Sequence, residues 1–161
     1  MPLRLVLLLV VTFFTSHGTA QDTARNKGVV MRYFEEVLNK QRVDVVAEIF
    51  AADYVFVNLK DGSGYKGTEQ LRKFLPYLFK AFPDIRYTVN RIVANNNIVA
   101  IEATASGTHI SEFWGFAPMR NKIRVTEIFF YTLANGKIVE GRVLLDVDTL
   151  KSQLGNAAGD K

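Results

Sequence analysis

The dipeptide Asn135-Gly136 lies between two β-rich runs, Ile123 to Leu133 and Ile138 to Val147. Both central residues of a type I′ turn need positive φ, which Asn and Gly adopt most readily, so the pair predicts a tight antiparallel hairpin. Two further runs precede it, Arg86 to Ala94 and Ile98 to Thr108, joined by the Asn95-Asn96-Asn97 turn; a loop through Trp114 and Pro118 follows. The C-terminal half therefore reads as an antiparallel sheet. The N-terminal half has a different period. From Thr23 to Gln41, Val29, Val30, Tyr33, Phe34, Val37 and Leu38 recur at three- and four-residue spacing, the mark of an amphipathic helix. Asp44 is expected to cap a shorter helix carrying Val45, Val46, Ile49 and Phe50, followed by a strand from Tyr54 to Asn58 and a loop at Asp61 to Gly64. A third helix starts at Thr68 and ends at Phe82-Pro83-Asp84, and Pro76 inside it is expected to kink or restart it. Helices followed by a sheet predict an α+β fold, with the helices laid on one face of a curved antiparallel sheet.

The first twenty residues stand apart from that fold. Arg4, the apolar run Leu5 to Phe14, and small residues at Gly18 and Ala20 describe a cleavable secretory leader, so residues 1–20 are expected to be removed and 21–161 to form one domain. An uncleaved anchor competes, but the run is shorter than the ~20 apolar residues that a span needs. The expected location is secreted or periplasmic, with no membrane association after cleavage. A frayed tail is expected from Asn156 to Lys161. With 161 residues, 48% of them hydrophobic, the chain has enough apolar material for one core.

The lack of cysteine removes disulfides, thiolate nucleophiles and thiolate ligands. After loss of the leader the chain has 19 Lys and Arg (20 less Arg4) against 16 Asp and Glu, and the cations are scattered rather than clustered in a stripe. A nucleic-acid partner is therefore not expected. Once His17 leaves with the leader, His109 is the single remaining histidine. Carboxylates would then have to hold any metal, and they lack the usual ligand spacing, so neither a metal nor another cofactor is expected.

Candidate chemistry gathers between Ser106 and Gly155. Proton abstraction beside a carbonyl needs a carboxylate with an apolar wall to raise its pKa, and a donor to steady the enolate oxygen. Asp146 is the candidate base, with His109 or Arg142 as donor; in strand phase Arg142 and Asp146 share one face. Other readings stay open. Asp146 equally fits the cap of a C-terminal helix containing Leu150 and Leu154. Arg142 could neutralise Asp146 or Glu127, and a paired carboxylate is a poor base. Glu127 shares a strand face with Ile123, Val125, Phe129 and Tyr131, so if that face is inward the carboxyl is buried and needs a partner. His109 could serve in a pocket or anchor a loop. Phe113, Trp114 and Phe116 suit either a lid or a plug of the barrel mouth. Arg142, Glu127, Trp114, Phe113, Asn58 and Tyr131 are the candidate ligand-binding residues.

The chain from about Asp44 onward resembles the SnoaL-like polyketide cyclases (ester cyclases) of the nuclear transport factor 2-like superfamily. The likeness rests on Ala81-Phe82-Pro83-Asp84, Gly107-Thr108-His109, Phe113-Trp114-Gly115-Phe116-Ala117-Pro118, Gly136-Lys137-Ile138, Glu140, Asp146 and Gln153-Leu154-Gly155, taken in that order. The chain departs from the family pattern at Ile110-Ser111, at Met119-Arg120, and at Arg142, where a Trp is common. The resemblance implies a cone-shaped, cystatin-like α+β barrel around an apolar pocket, often a homodimer through the open sheet. It also implies intramolecular aldol cyclisation without metal or covalent intermediate, with Asp146 matching the family's acid/base. Three functions follow as expectations: a cofactor-independent cyclase or isomerase on a small hydrophobic carbonyl compound, a non-catalytic extracytoplasmic binder of a small hydrophobic molecule, or a dimeric accessory domain without ligand.

Overall fold

The structure is a computed structural model and describes residues 20–155. The expected leader, apart from Ala20, and the tail from Asn156 lie outside the described residues. Helix α1 (Ala20–Arg32) runs directly into a π-helical turn, Tyr33–Leu38. A single-turn 3₁₀ segment (Val43–Val45) and α2 (Val46–Ile49) follow, then β1 (Phe50–Asn58), β2 (Gly64–Lys66), α3 (Glu69–Ala81), β3 (Arg86–Asn95), β4 (Ile98–Thr108), β5 (Lys122–Ala134), β6 (Lys137–Leu145) and α4 (Val147–Gly155).

The six strands form one sheet in the order β2-β1-β6-β5-β4-β3. β3 to β6 form the expected antiparallel meander, and Asn135 and Gly136 both take positive φ, 52° and 75°. One pairing departs from expectation: β1 runs parallel to β6. Helix α3 and four strands separate the two in sequence, so no local turn signal could set their direction.

Three local expectations are corrected. Asp44 does not cap the short helix: it lies inside the 3₁₀ turn, with its carboxylate 2.9 Å from Arg42 Nη2. β1 begins at Phe50 rather than Tyr54. Pro76 does not restart α3, which is a single helix from Glu69 to Ala81. Pro76 faces solvent, so the carbonyl deprived of its partner one turn earlier can bind water, while buried Leu75, Leu78 and Phe79 hold the other face on the core.

The core lies between the helices and the concave sheet face. Phe34 is 1% exposed and meets Phe129 edge-on with ring centroids 5.2 Å apart. Burying a side chain of that size contributes roughly 1.5–3 kcal/mol. The structure decides the phase of β5: Ile123, Val125, Glu127, Phe129 and Tyr131 point inward and are buried, while Arg124, Thr126 and Phe130 are exposed. β4 matches its expected bounds and adds Ala103 and Ala105 to the inner face, where the small side chains leave space.

Candidate functional site

A cavity of about 390 Å³ lies between the helices and the inner face of the sheet. The π-helical turn contributes Tyr33 and Leu38, one at each end of the wide turn; β1 and β2 contribute Tyr54, Phe56, Asn58 and Tyr65. Helix α3 supplies Gln70, Leu71, Phe74 and Leu78, and the sheet floor carries Tyr87, Glu127, Phe129 and Tyr131. Val143, Leu145 and Val147 complete the wall, and Trp114 overhangs the mouth. π-helical turns are rare and concentrate at functional sites. A second recess of equal volume, between α1 and the hairpin tips, is lined mainly by polar groups such as Asp22, Arg25, Asn26 and Asn97 and holds none of the candidate residues.

Among the described residues Glu127 is the only carboxyl group in the cavity wall, and no Lys, Arg or His joins it there. It is 8% exposed, and burial in this apolar setting pushes its pKa up to about 7. The neighbouring Tyr87 hydroxyl, as a donor to the carboxylate, pulls in the opposite direction, more weakly. Burial holds the phenols of Tyr33, Tyr54, Tyr87 and Tyr131 well above the usual range, so they remain neutral O–H donors at any ordinary pH. Gly141 makes room for one of them: a Cβ there would collide with the Tyr54 hydroxyl.

The candidates from sequence divide into two groups. Glu127, Tyr131, Asn58 and Trp114 line one cavity. Phe113 is 2% exposed and sits behind the mouth, stacked on Trp114 and Tyr77 at 4.9 and 5.1 Å. The remaining three candidates are elsewhere. Asp146 is exposed just past the end of β6: Oδ1 accepts from the Thr149 N–H at 3.0 Å and Oδ2 from the Thr149 hydroxyl at 2.7 Å. These bonds to Thr149 hold its pKa below the usual carboxylate range, the reverse of what a base in an apolar pocket requires. Asp146 is therefore the cap of α4, the competing reading of that residue. Arg142 points to the outer sheet face, opposite Phe130, with Glu140 3.6 Å from its guanidinium and no contact with Asp146. The two residues do not share a wall, because β6 ends at Leu145.

His109 is fully buried away from the cavity, stacked on Phe82 at 5.3 Å. Its backbone anchors the loop: the N–H donates to Asn121 O at 2.9 Å and the carbonyl accepts from the Arg120 N–H at 3.0 Å. The residues around it act the same way. Asp84 accepts from both the backbone N–H and the hydroxyl of Thr108, each at 2.7 Å, and Gln153 bridges the backbone N–H and carbonyl of Arg124 at 2.7 and 3.0 Å. Sequence reasoning gave Tyr33 and Tyr54 only structural roles and passed over Tyr87. The signal was available: of six tyrosines, five (Tyr33, Tyr54, Tyr65, Tyr87 and Tyr131) line the cavity, and an inward ring with a polar tip needs a polar environment at one end.

The sequence profile of the SnoaL-like polyketide cyclases matches residues 28–154. The chain belongs to the SnoaL-like polyketide cyclase family. The solved structures similar to this family member include a candidate SnoaL-like polyketide cyclase from Jannaschia sp. CCS1, 23% identical, covering 88% of this chain and 98% of its own, with a TM-score of 0.79. IdmH, a candidate polyketide cyclase from Streptomyces antibioticus, is 25% identical, covering 81% and 99%, with a TM-score of 0.71. An LEH-like epoxide hydrolase from M. tuberculosis has the same fold at 18% identity, covering 83% and 91%, with a TM-score of 0.65. None of the curated proteins matches the sequence at a significant level. The fold is thus the nuclear transport factor 2-like barrel of the family, with its pocket lined by aromatic rings around one carboxyl group.

Proposed function

We propose that this family member is a cofactor-independent cyclase or isomerase that moves a proton at a carbon next to a carbonyl, with Glu127 rather than Asp146 as the acid/base. One observation carries the reading: Glu127 is buried in the aromatic cavity with its pKa near 7, where a carboxyl group can both take and return a proton at neutral pH. The ionised carboxylate takes the proton from the carbon, and the bonding pair moves to the carbonyl oxygen as an enolate. A neutral phenol, from Tyr54 or Tyr33, donates a hydrogen bond to that oxygen. The enolate carbon then either attacks a second carbonyl of the same molecule, closing a ring as the new alkoxide takes the proton back from the Glu127 carboxylic acid, or is reprotonated by that acid at a different position. The apolar walls suit a small hydrophobic carbonyl compound with aromatic or conjugated character.

The test is hydrogen exchange of 2-tetralone in D₂O, followed by NMR. Wild type should accelerate exchange beside the carbonyl, Glu127→Gln should lose the acceleration, and Asp146→Asn should keep it. Binding of the ketone without accelerated exchange would replace this reading with that of a non-catalytic extracytoplasmic binder, which the expected leader favours. Homodimerisation remains part of the proposal. The outer sheet face exposes Ile98, Phe130 and Leu144 at 48%, 42% and 44%, and a second copy would cover them. A monomer mass by sedimentation at micromolar concentration would refute the dimer.

A further inference from the structure

The same cavity has the recognition chemistry of an organic cation, and we propose that it binds a small lipophilic amine, with the ammonium seated on Glu127 among the surrounding aromatic rings. Buried carboxylates in proteins are paired with a cation or they take up a proton. Among the described residues, no cation lines the cavity beside Glu127. The phenols of Tyr33 from the π-helical turn, Tyr87 from β3 and Tyr131 from its own strand interact with Glu127, Tyr54 from β1 and Tyr65 from β2 line the same cavity, and β6 contributes only Val143 and Leu145. Aromatic faces carry negative potential and attract an ammonium, most strongly where water is excluded. The rings are angled to act together: Tyr33 stands edge-on to Tyr131 at 77°, whereas Phe129 lies nearly parallel to Tyr131 at 13°. A neutral or anionic ligand of the same shape would leave the carboxylate without a counter-charge.

The inference rests on the cavity being a ligand site and not on Glu127 acting as a base. It also has a consequence for the proposed reaction. An ammonium on Glu127 lowers the pKa of the carboxyl group and removes its basicity, so such amines would compete with substrate.

Trp114, the one tryptophan of the chain, overhangs the mouth and reports occupancy by fluorescence. The experiment titrates the full chain with 2-phenylethylamine and, as neutral isostere, 2-phenylethanol. At pH 8 the amine should bind at least about tenfold more tightly than the alcohol, as one added charge-assisted contact in a dry site implies. With the free Glu127 pKa at about 7, amine affinity should fall roughly thirtyfold by pH 5.5, because only the ionised fraction accepts it. The alcohol should show no such fall. Glu127→Gln should reduce amine binding to the level of the alcohol. Should that variant fold poorly, proton release on amine binding to wild type near pH 6, read by calorimetry in two buffers, tests the same ion pair. Equal or tighter alcohol binding at pH 8, or amine affinity flat with pH, overturns the amine preference and leaves the pocket standing. No response to either compound overturns the preference and the pocket reading together.

Discussion

The Tyr87 hydroxyl, separated from Glu127 by one strand, is the group that holds down the pKa of that carboxyl against burial. In the register of the sheet, Tyr87 on β3 pairs with Ala105 of β4, and Glu127 on β5 pairs with Ala103. Both alanines are buried on the inner face, and their methyl groups leave the passage that a larger side chain would close. Asn39, just after the π-helical turn, fixes the backbone of Tyr87. Its Nδ2 donates to Tyr87 O at 2.9 Å, and the Tyr87 N–H donates to its Oδ1 at 2.7 Å.

A residue clamped this way should act on Glu127 at a distance. The Tyr87 hydrogen bond favours the ionised carboxylate, so its loss should raise the Glu127 pKa. Tyr87→Phe removes the bond, and Asn39→Ala releases the backbone that aims it. Both variants should move the Glu127 midpoint upward in a carboxyl ¹³C NMR titration, and the double variant should move it no further than Tyr87→Phe alone. An additive double variant would mean that Asn39 affects the site by another route. Asn39→Ala should also cost about 1 kcal/mol of stability, because it leaves the part-buried backbone N–H and carbonyl of Tyr87 without their partner.

Glu127 should make the protein less stable as pH rises through neutrality. Its carboxyl binds a proton more tightly in the folded state, with the pKa pushed from 4.5 to about 7. Between those values the folded chain holds the proton that the unfolded chain has released, so stability falls with rising pH. The contribution is present below pH 4.5 and lost by about pH 7, and it amounts to on the order of 3 kcal/mol. Urea unfolding of wild type and Glu127→Gln from pH 4 to 8 reads the difference directly. The variant's curve should be flatter over that window, and parallel curves would mean that the carboxyl is solvated.

How much of this was legible follows from where the information sits. The meander of β3 to β6 could be read because each turn carries its own chemistry, as at Asn135-Gly136, whereas the phase of β5 stayed open in the sequence because Ile128 and Phe130 make its other face partly apolar too. The parallel β1–β6 pairing depends on contacts between distant segments and left no local trace. At the site, the order of family motifs drew the base to Asp146, but a carboxylate at the end of a strand fits a cap as well as a pocket. The choice depends on where β6 ends, one residue before Asp146, which the pattern of residues does not reveal. Tyr87 was missed because its partner is two strands away.

Asp146 should therefore separate folding from chemistry. Asp146→Ala removes both bonds to Thr149 and leaves the first turn of α4 uncapped. The folded pKa of Asp146 is depressed, so its contribution is present above the ordinary aspartate pKa and lost as pH falls below it. The melting temperature of the variant should lie below wild type at pH 7, and the gap should close in acid. The exchange rate of a bound ketone should be unchanged at a temperature where the variant is folded. A large loss of rate in a folded Asp146→Ala protein would return the base to that residue.

The loop over the mouth is latched by one tyrosine outside the cavity. The Trp114 N–H donates to the Tyr77 hydroxyl at 2.6 Å, and that hydroxyl donates to Glu112 Oε1 at 3.4 Å. The Gly115 N–H reaches the same carboxylate oxygen at 2.6 Å. The latch holds Trp114 at φ 52°, a conformation that costs a non-glycine residue on the order of 1–3 kcal/mol unless its surroundings enforce it. Tyr77→Phe keeps the ring that stacks on Phe113 but removes the acceptor for Trp114. The freed loop should relax toward ordinary backbone geometry and carry the indole off the mouth. Trp114 emission should then shift to the red in the unliganded protein, and ligand dissociation should quicken about fivefold or more, the effect of losing roughly 1 kcal/mol of closure. Unchanged emission and off-rate would assign the loop's position to the Phe113 stack alone and reduce Trp114 to a fixed plug.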